Sequence, residues 1–454
     1  MTCSSVLGFV DDYAATVRHL SALLRPGGLF VQWDWERDDN DADPHGLAQA
    51  EIEIALTAAS LDDVDVKVGF ELAIEGATMR PLMGIGRKPH PRRSESGRPR
   101  WSAASPAAVM DTDVMNTSVS NTAVSNTQVL IASVPDGPLA TNNFAVVDGA
   151  RPEPGNGEVL VETAAITIGA GQRAGLQGSA SYAGAAQADT VMTGTGIGTV
   201  TESRDSSIEA GATVIGPTGW QHWSAVAAKH LTVVPPGIDP AVQLGALGTN
   251  GLTAYFGLLD VGQPQVGETV VVSAAAGSVG HIVGQIAKIK GARVVGVAGS
   301  NEKCASLVDD FGFDVAVNYK SDDFRAEFKA ATPDRIDVYY DNTGGDILGS
   351  ALFRMNTFGR IVCCGAVSHY DTASPSPGPR GVPGLLVNNR VRMQGFLIFD
   401  YADRYPEARA ELSTWIASGQ LRPSTTEYDG LAAAPQAFVD LLAGATAGTT
   451  IVRV

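Results

Sequence analysis

The stretch VVVSAAAGSVGHIVGQIAK, Val270–Lys288, decides the fold of this chain. An apolar, β-branched run leads into a turn of small residues, and apolar residues then recur at helical spacing. Ala275, Gly277 and Gly280 occupy the glycine positions of the G-x-G-x-x-G pattern, which provides a tight turn, a close backbone approach to a pyrophosphate and close helix–strand packing. Alanine can serve the first position where its φ stays negative. By itself the turn fits a dinucleotide site and a packed strand–helix corner equally well.

The sequence around this stretch alternates between strand-like and helical patterns. From about Gly251 the strand-like runs are TVVVSAAA, RVVGVAG, DVAVNY, IDVYYDNTGG and GRIVCCGAV. Such alternation predicts an α/β, doubly wound parallel sheet of the Rossmann type, with helices on both faces. Upstream, GEVLVETAAITI and TGTGIGTVTES are typical of strands separated by glycine turns, which predicts a smaller β-rich domain.

The end of the second predicted strand indicates which dinucleotide would bind. The run RVVGVAG ends at Gly299-Ser300, and Lys303 follows shortly after it. A site for NAD places an acidic residue here to bind the ribose hydroxyls, whereas small residues and a lysine leave room and positive charge for a 2′-phosphate. We therefore predict NADPH as the cofactor. A solvated helix lysine is the alternative interpretation of Lys303.

Length, charge and cysteine content limit the class of protein. At 454 residues the chain can form two or three domains, and its net charge of −17 argues against a nucleic-acid or anionic-membrane partner. The cysteines show no paired CxxC spacing, so neither a disulfide framework nor a structural zinc site is expected. They are Cys3, Cys304, Cys363 and Cys364. The first residues lack the basic segment of a secretory signal, and we expect a cytoplasmic protein.

Long motifs between about Ser133 and Val454 carry a family resemblance. They are GLTAYFGLLDVGQPQVGETVVVSAAAGSVGHIVGQIAKIKGARVVGVAGSNEKC, DVYYDNTGGDIL, FGRIVCCGAVSHYD and QGFLIFDYADRYPEA. This part of the chain resembles the zinc-independent medium-chain dehydrogenase/reductase family, in the branch of prostaglandin, 2-alkenal and curcumin reductases. The resemblance implies a Rossmann domain inserted in a GroES-like β-rich domain that the C-terminus closes. It also implies NADPH-dependent reduction of the carbon–carbon double bond of α,β-unsaturated aldehydes and ketones, and a homodimer joined near Gly395–Phe399.

Three alternative functions remain beside this one. They are an NADPH:quinone reductase of the same fold, a cofactor-binding protein with little turnover, and a bifunctional methyltransferase–reductase that the N-terminal sequence nearly excludes. No metal is expected, because residues 129–250 contain no cysteine and because His222 and His230 lack ligand-like neighbours.

The resemblance also implies the residues of the site. Tyr370 would lie beside the cofactor ribose and polarise the substrate carbonyl, with a purely structural cofactor contact as the alternative. Tyr182 in SASYAG would face the substrate, or be an ordinary loop tyrosine. The turn residues would contact the pyrophosphate, and Lys303 and Tyr319 the adenosine 2′-phosphate. Asn342 and the loop Cys364–Tyr370 would border the ribose and the nicotinamide. Phe396–Ile398 would line the nicotinamide pocket, with a buried edge strand as the alternative. The complete implied cofactor set is Ala275, Gly277, Ser278, Val279, Gly280, Lys303, Tyr319, Asn342, Cys364, Gly365, Ala366, Val367, Ser368, His369, Tyr370, Phe396, Leu397, Ile398 and Thr446.

The chain departs from the family pattern at three places. Gly169–Gly171 replace an Asp-Pro-Tyr motif, which we expect to loosen a substrate-side loop because a fixed proline φ and an aromatic ring are lost. Thr249-Asn250 replace Met-Pro. Thr446 and Thr449 stand where relatives have asparagine and lysine, so that Thr446 offers the cofactor only a short hydroxyl.

The N-terminal region has a different character. DDYAATVRHLSALLRPGGLFVQWDWE and MRPLMGIGRKP resemble the C-terminal half of a class I S-adenosylmethionine-dependent methyltransferase. Only ten residues precede Asp11, and none forms the glycine-rich cofactor loop of that family. We therefore expect a truncated, catalytically silent remnant that arose from a gene fusion or a misplaced start, with Met110 or Met115 as the alternative first residue.

The expected domain boundaries follow from these patterns. Residues 1–90 form the methyltransferase-like segment. One helix is expected where Tyr13, Val17, Leu20 and Leu24 recur at helical spacing, and a second over GLAQAEIEIALTAASL. Strands are expected over LFVQWDW and VDVKVGFELAI. Residues 91–128 form a flexible linker, because MNTSVSNTAVSNTQ is a polar repeat of low complexity. Residues 250–400 form the NADP-binding domain, and 129–249 with 401–454 form the GroES-like domain.

Overall fold

The computed structural model describes residues 2–4, 13–22, 24, 29–35, 47–68, 72–74, 77–79, 81–89, 125–177, 186–372 and 378–454. The chain divides into two compact units, Met1–Asn116 and Thr117–Val454. None of the described helices is both long and apolar enough to cross a membrane.

The N-terminal unit contains a four-stranded sheet covered by two helices. Its elements are β1 (Thr2–Ser4), α1 (Tyr13–Ala22), β2 (Leu29–Trp35), α2 (Gln49–Ala58), β3 (Asp62–Val68), β4 (Leu72–Ile74), β5 (Ala77–Met79) and β6 (Pro81–Arg87). The sheet order is β1-β2-β6-β3, in which β1 is parallel to β2 and β6 is antiparallel to both neighbours. Val17, Ile52, Leu56 and Leu82 are buried in its core.

The predicted helices and first strand of this unit are found, but two boundaries differ. Helix α2 is shorter than GLAQAEIEIALTAASL, because it ends at Ala58 and Ser60 takes a positive φ of 57°. The run VDVKVGFELAI is divided between β3 and β4 rather than forming one strand.

A β-rich part follows in the second unit. It contains β7 (Ser125–Ile131), β8 (Phe144–Ala150), β9 (Glu158–Ile168), α3 (Gly171–Leu176), β10 (Gly196–Ser203), β11 (Thr213–Gly216), β12 (Trp223–Ala227), β13 (Thr232–Val233) and α4 (Pro240–Leu244). β7 begins at Ser125 and so includes the last four residues of the predicted linker. The reason is that the buried amide of Asn126 forms hydrogen bonds with the backbone of Trp223.

The dinucleotide-type part contains the predicted parallel sheet. Its elements are α5 (Thr249–Phe256), β14 (Thr269–Val272), α6 (Gly280–Ile289), β15 (Arg293–Ala298), α7 (Asn301–Asp309), β16 (Val315–Asn318), α8 (Phe324–Ala331), β17 (Ile336–Asp341), α9 (Gly345–Leu352), β18 (Met355–Cys363), α10 (Val382–Asn389) and β19 (Arg392–Gly395). The strand order is β16-β15-β14-β17-β18-β19, and every pair is parallel. The prediction of a Rossmann-like parallel sheet is confirmed.

The C-terminal elements serve both parts of this unit. They are α11 (Tyr405–Ala417), β20 (Thr425–Asp429), α12 (Ala434–Leu442) and β21 (Thr449–Arg453). β21 pairs antiparallel with β9 and parallel with β20, so that both C-terminal strands extend the β-rich sheet. Helix α11 lies beyond the predicted boundary at residue 400, yet its Leu412 and Trp415 are buried in the core of the parallel sheet, where Trp415 packs against Tyr255 of α5.

Candidate functional site

The glycine-rich turn connects β14 to α6 at the carboxyl edge of the parallel sheet. Ala275 is fully buried, and its N–H donates to the Val297 carbonyl at 2.9 Å. The positive φ of the turn, 46°, falls on Ala274 and not on Ala275. Alanine is therefore compatible with the first glycine position of the pattern, as the sequence predicted.

Gly280 is required for the approach of α6 to this turn. A Cβ atom at Gly280 would lie 2.3 Å from the Ala274 carbonyl oxygen and 2.7 Å from the Ala275 Cα. At Gly277 a Cβ atom would meet only the Ala274 oxygen, at 3.2 Å. The turn and the first residues of α6 thus form a cradle of small residues at a helix N-terminus, which fits a pyrophosphate.

A buried histidine holds the turn in place. The His281 Nδ1–H donates to the Gly277 carbonyl at 2.8 Å, and its Nε2 accepts the Ser424 N–H at 3.2 Å. Burial lowers the pKa of His281 to about 4, so the ring is neutral near pH 7. The Gly448 N–H also donates to the Ala276 carbonyl, at 2.8 Å. These contacts tie the turn to the C-terminal segment.

The sequence argument missed this role of His281. The only signal was a histidine among apolar residues at the start of a helix, which does not identify its partner.

The residues predicted for the adenosine end lie together beyond β15 and β16. A Cβ atom at Gly299 would lie 3.1 Å from the Tyr319 ring, so that small residues leave room beside this half-exposed tyrosine. Lys303 donates from Nζ to the carbonyls of Gly444 and Thr446, at 2.7 and 2.6 Å. Burial, and then the charge of Lys320, lowers the pKa of Lys303. The positive charge of Lys303 and Lys320 suits this place to a phosphate. The sequence argument did not identify Lys320 as part of this cluster.

The residues predicted for the nicotinamide end lie after β17 and β18. Asn342 donates from Nδ2 to the Ser273 carbonyl at 2.8 Å, and its own carbonyl accepts the Val367 N–H at 3.1 Å. The loop Cys364–Tyr370 folds back on itself, because the Tyr370 hydroxyl accepts the Ala366 N–H at 3.4 Å. The carboxyl ends of neighbouring strands thus place Asn342 and this loop side by side.

Asp341 organises this corner, and the sequence argument did not identify it. Its buried Oδ1 accepts hydrogen bonds from the hydroxyls of Ser273 and Tyr339 and from the N–H groups of Thr343 and Gly344, at 2.9–3.2 Å. A buried carboxylate with several donors fixes the backbone around it.

The three residues after β19 do not share one environment. Ile398 is buried and Phe396 packs against the core of the parallel sheet, whereas Leu397 is 43% exposed. The side chains of Phe396 and Ile398 therefore support the sheet edge.

Of the remaining predicted positions, one lies outside the described residues, and another has supporting contacts that the sequence did not indicate. Tyr182 lies in the segment 178–185, which the structure does not describe. Gly169 and Ala170 directly precede α3, and Gly171 is its first residue. The Gln172 side chain holds this segment, because it accepts the Gly169 N–H and donates to the Thr193 carbonyl, both at 2.8 Å. Gln172 therefore supplies contacts that the lost proline and aromatic ring do not.

The histidines of the β-rich part form no metal site with their neighbours. His222 stacks on Trp223 and lies 3.6 Å from Glu162, and His230 is exposed. Across the described ranges, no three His, Cys, Asp or Glu side chains are grouped so that they could hold a metal ion.

Two family models match the second unit. One, described as the N-terminal domain of oxidoreductases, matches residues 127–234, and the other, described as zinc-binding dehydrogenase, matches residues 278–414. Neither extends into the N-terminal unit.

Individual proteins match over most of their length. The chain is 39% identical over 332 residues to the NADPH-dependent curcumin reductase of Escherichia coli, which covers 72% of this chain and 96% of that protein. It is 40% identical over 268 residues to the NADP⁺-dependent 2-alkenal reductase of Nicotiana tabacum, covering 58% and 77%. The crystal structure of CurA from Vibrio vulnificus in complex with NADPH superposes with a TM-score of 0.69 and 36% identity, covering 72% of this chain and 99% of that one.

Proposed function

The chain belongs to the zinc-independent medium-chain dehydrogenase/reductase family, and we propose that it uses NADPH to reduce the carbon–carbon double bond of α,β-unsaturated aldehydes and ketones. One observation carries this proposal. In a chain that shares 39% identity with a curcumin reductase, Asn342 and the Tyr370 loop lie together at the edge of the sheet that also holds the glycine-rich turn and Lys303.

The described residues would hold the cofactor at three points. The cradle between Gly277 and Gly280 would bind the pyrophosphate, and Lys303 with Tyr319 would bind the adenosine 2′-phosphate. Asn342 and the Cys364–Tyr370 loop would border the ribose and the nicotinamide. Thr446, whose carbonyl accepts a hydrogen bond from Lys303, would lie near the phosphate end.

When bound, NADPH supplies a hydride to the β-carbon of the substrate, the α-carbon takes a proton from water, and NADP⁺ is left. The chain must orient the substrate carbonyl and stabilise the negative charge that develops on its oxygen. The Tyr370 hydroxyl is suited to this task, because a hydroxyl that accepts a hydrogen bond, here from Ala366, is a better donor of its own proton. Tyr182 remains a prediction for the substrate side.

The assembly and location of the protein belong to the same proposal. β19 is the last strand of the parallel sheet, and Leu397 and Phe399 just after it are 43% and 62% exposed. Among the described strands none pairs with the outer edge of β19, and such an edge beside exposed apolar side chains favours pairing with a second copy. The acidic net charge, together with free cysteines at Cys304, Cys363 and Cys364, supports a cytoplasmic location.

The N-terminal unit is proposed to be a methyltransferase-like segment. Support comes from the parallel pair β1–β2 and from the antiparallel β6 between β2 and β3.

The test of the enzymatic function is NADPH oxidation by the purified full chain with a 2-alkenal, with a quinone in parallel and with the matching saturated aldehyde as the control. We expect oxidation with the alkenal alone and a saturated aldehyde as its product. Turnover with the quinone alone would assign the sister activity. Tight NADPH binding without turnover of either compound would favour a binding protein.

A further inference from the structure

A buried ion pair joins the helix on the substrate side to the loop that carries Tyr370. The Arg173 side chain, in α3, is 1% exposed, and its Nε donates to Asp371 Oδ1 at 2.8 Å. Asp371 directly follows Tyr370 and is 23% exposed. The pair therefore connects the β-rich part to the cofactor loop across 198 residues of sequence.

Both partners also hold a third segment. Arg173 Nη2 donates to the Gly137 carbonyl at 2.6 Å, and Asp371 Oδ1 accepts the Leu139 N–H at 2.5 Å. The Arg173–Asp371 pair is thus the point at which three segments meet. They are the loop 137–139, helix α3 and the end of the Cys364–Tyr370 loop. Charge-assisted contacts of this kind fix geometry more strongly than neutral hydrogen bonds.

The backbone next to Tyr370 depends on this arrangement. Asp371 adopts a φ of 51°, in the left-handed region that is unfavourable for most L-residues and that aspartate enters more readily than most. Within the described part of the chain, the buried Nη1 of Arg173 has no hydrogen-bond partner, so Asp371 supplies the only carboxylate to this guanidinium. Removal of Asp371 would leave a buried charge uncompensated, which a folded protein relieves by local rearrangement.

We propose that Arg173 and Asp371 are positioning residues. They set the orientation of Tyr370 by fixing the end of the Cys364–Tyr370 loop against helix α3. The inference rests on the proposed function, in which Tyr370 orients the substrate carbonyl. It adds that helix α3 of the β-rich part controls the orientation of Tyr370, which lies in a loop of the parallel-sheet part. A misplacement of about 1 Å at such a group can reduce turnover on the order of 100-fold.

A second ion pair in the same unit provides a matched control. Arg360 and Glu268 are 16% and 23% exposed and bind each other at 2.5 and 2.9 Å. Glu268 immediately precedes β14, at the edge of the sheet opposite to the Tyr370 loop. Loss of this pair should affect stability without affecting the orientation of Tyr370.

The experiment compares Asp371→Asn and Arg173→Lys with Glu268→Gln in the full chain. For the first two variants we expect kcat for the enone to fall about 10- to 100-fold while the Kd for NADPH is unchanged. Deuterated NADPH should give a larger kinetic isotope effect, because the chemical step becomes slower relative to product release. Hydrogen exchange of the cofactor-free protein over residues 366–372 should accelerate, whereas Glu268→Gln should change none of these quantities.

A double-mutant cycle separates positioning from general destabilisation. If Asp371 acts through Tyr370, then Asp371→Asn should reduce kcat in the wild-type background and have little further effect in Tyr370→Phe. Equal losses in both backgrounds, or unchanged kcat in a variant with a lowered Tm, would overturn the inference. Absence of enone turnover by the wild-type chain would instead overturn the proposed function, and the two failures are therefore distinguishable.

Discussion

The ammonium group of Lys303 lies between the carbonyls of Gly444 and Thr446, at 2.7 and 2.6 Å, although 143 residues separate Lys303 from Thr446. Two of its three donors are thereby used to hold a turn of the C-terminal segment, and one remains for a ligand. Lys303 therefore anchors this turn, and in the proposed function it would also place a positive charge beside the 2′-phosphate.

Replacement of Lys303 should weaken binding of both nicotinamide dinucleotides, but to different extents. Lys303→Met should raise the Kd for NADPH about 10- to 100-fold, because a charge-assisted hydrogen bond is lost. It should raise the Kd for NADH by a smaller factor, because the turn at Gly444–Thr446 loses its anchor. Fluorescence titration measures both constants, with Lys288→Met as a control whose ammonium binds Asp314 instead. Unchanged NADPH affinity in Lys303→Met or Lys303→Glu would contradict the assignment.

Replacement of Tyr370 by phenylalanine should affect turnover more than binding. We expect kcat for an enone to fall about 10- to 100-fold, because a donor to the developing negative charge is removed, while the KM for NADPH stays near the wild-type value. Steady-state kinetics measure this. Tyr428→Phe is the matched control, since the Tyr428 hydroxyl donates to Asp440 within the β-rich part. Full turnover by Tyr370→Phe would remove the proposed role of its hydroxyl.

The two ends of the glycine-rich pattern should respond in opposite ways to substitution. Gly280→Ala should abolish NADPH binding and lower Tm, because its Cβ would lie 2.3 Å from the Ala274 carbonyl oxygen. Ala275→Gly should keep NADPH affinity and cost only about 1 kcal/mol of stability, because Ala275 already has a negative φ. Thermal unfolding and NADPH titration of both variants test this pair. Tighter binding by Ala275→Gly would show that the alanine impairs the site.

Stability should decrease between pH 6.5 and pH 4 through His281. Burial lowers the pKa of this histidine from 6.5 to about 4, so the unfolded chain binds a proton in this window that the folded chain does not. The contribution of His281 is therefore complete above pH 6.5 and decreases as the pH falls, by about 3 kcal/mol in total. Denaturant unfolding at pH 7 and pH 4 measures it. The His281→Gln variant has no titrating group at this position. Between pH 7 and pH 4 its free energy of unfolding should therefore decrease by about 3 kcal/mol less than that of the wild type. An equal decrease in both proteins would refute the prediction.

The alternation of strands and helices was predictable because each element leaves a local signal. The apolar run before Ala275 and the helical spacing after Gly280 indicate a strand and a helix, and the observed β14 and α6 follow them. The placement of Asn342 beside the Tyr370 loop was implied by resemblance and follows from parallel strands, whose carboxyl ends share one edge of the sheet.

Boundaries and supporting contacts were less predictable. Helix α11 joins the core of the parallel sheet beyond the expected domain end, because burial of Trp415 against α5 is a tertiary event that its own sequence does not encode. The support that Gln172 gives to Gly169 likewise depends on the position of Thr193, which lies on a different segment.

The sequence by itself determined the parallel sheet, its glycine-rich turn and the type of residue at each predicted cofactor position, because hydrophobic periodicity and turn chemistry act over a few residues. Only the tertiary structure decided that Arg173 binds Asp371, that Lys303 binds the Gly444–Thr446 turn and that His281 joins the Gly277 carbonyl to Ser424. Apart from the local contact of His281 with Gly277, each of these contacts links a residue to a partner more than 130 positions away. Such contacts form because the packing of the two parts buries polar groups that must then find a partner wherever the fold supplies one.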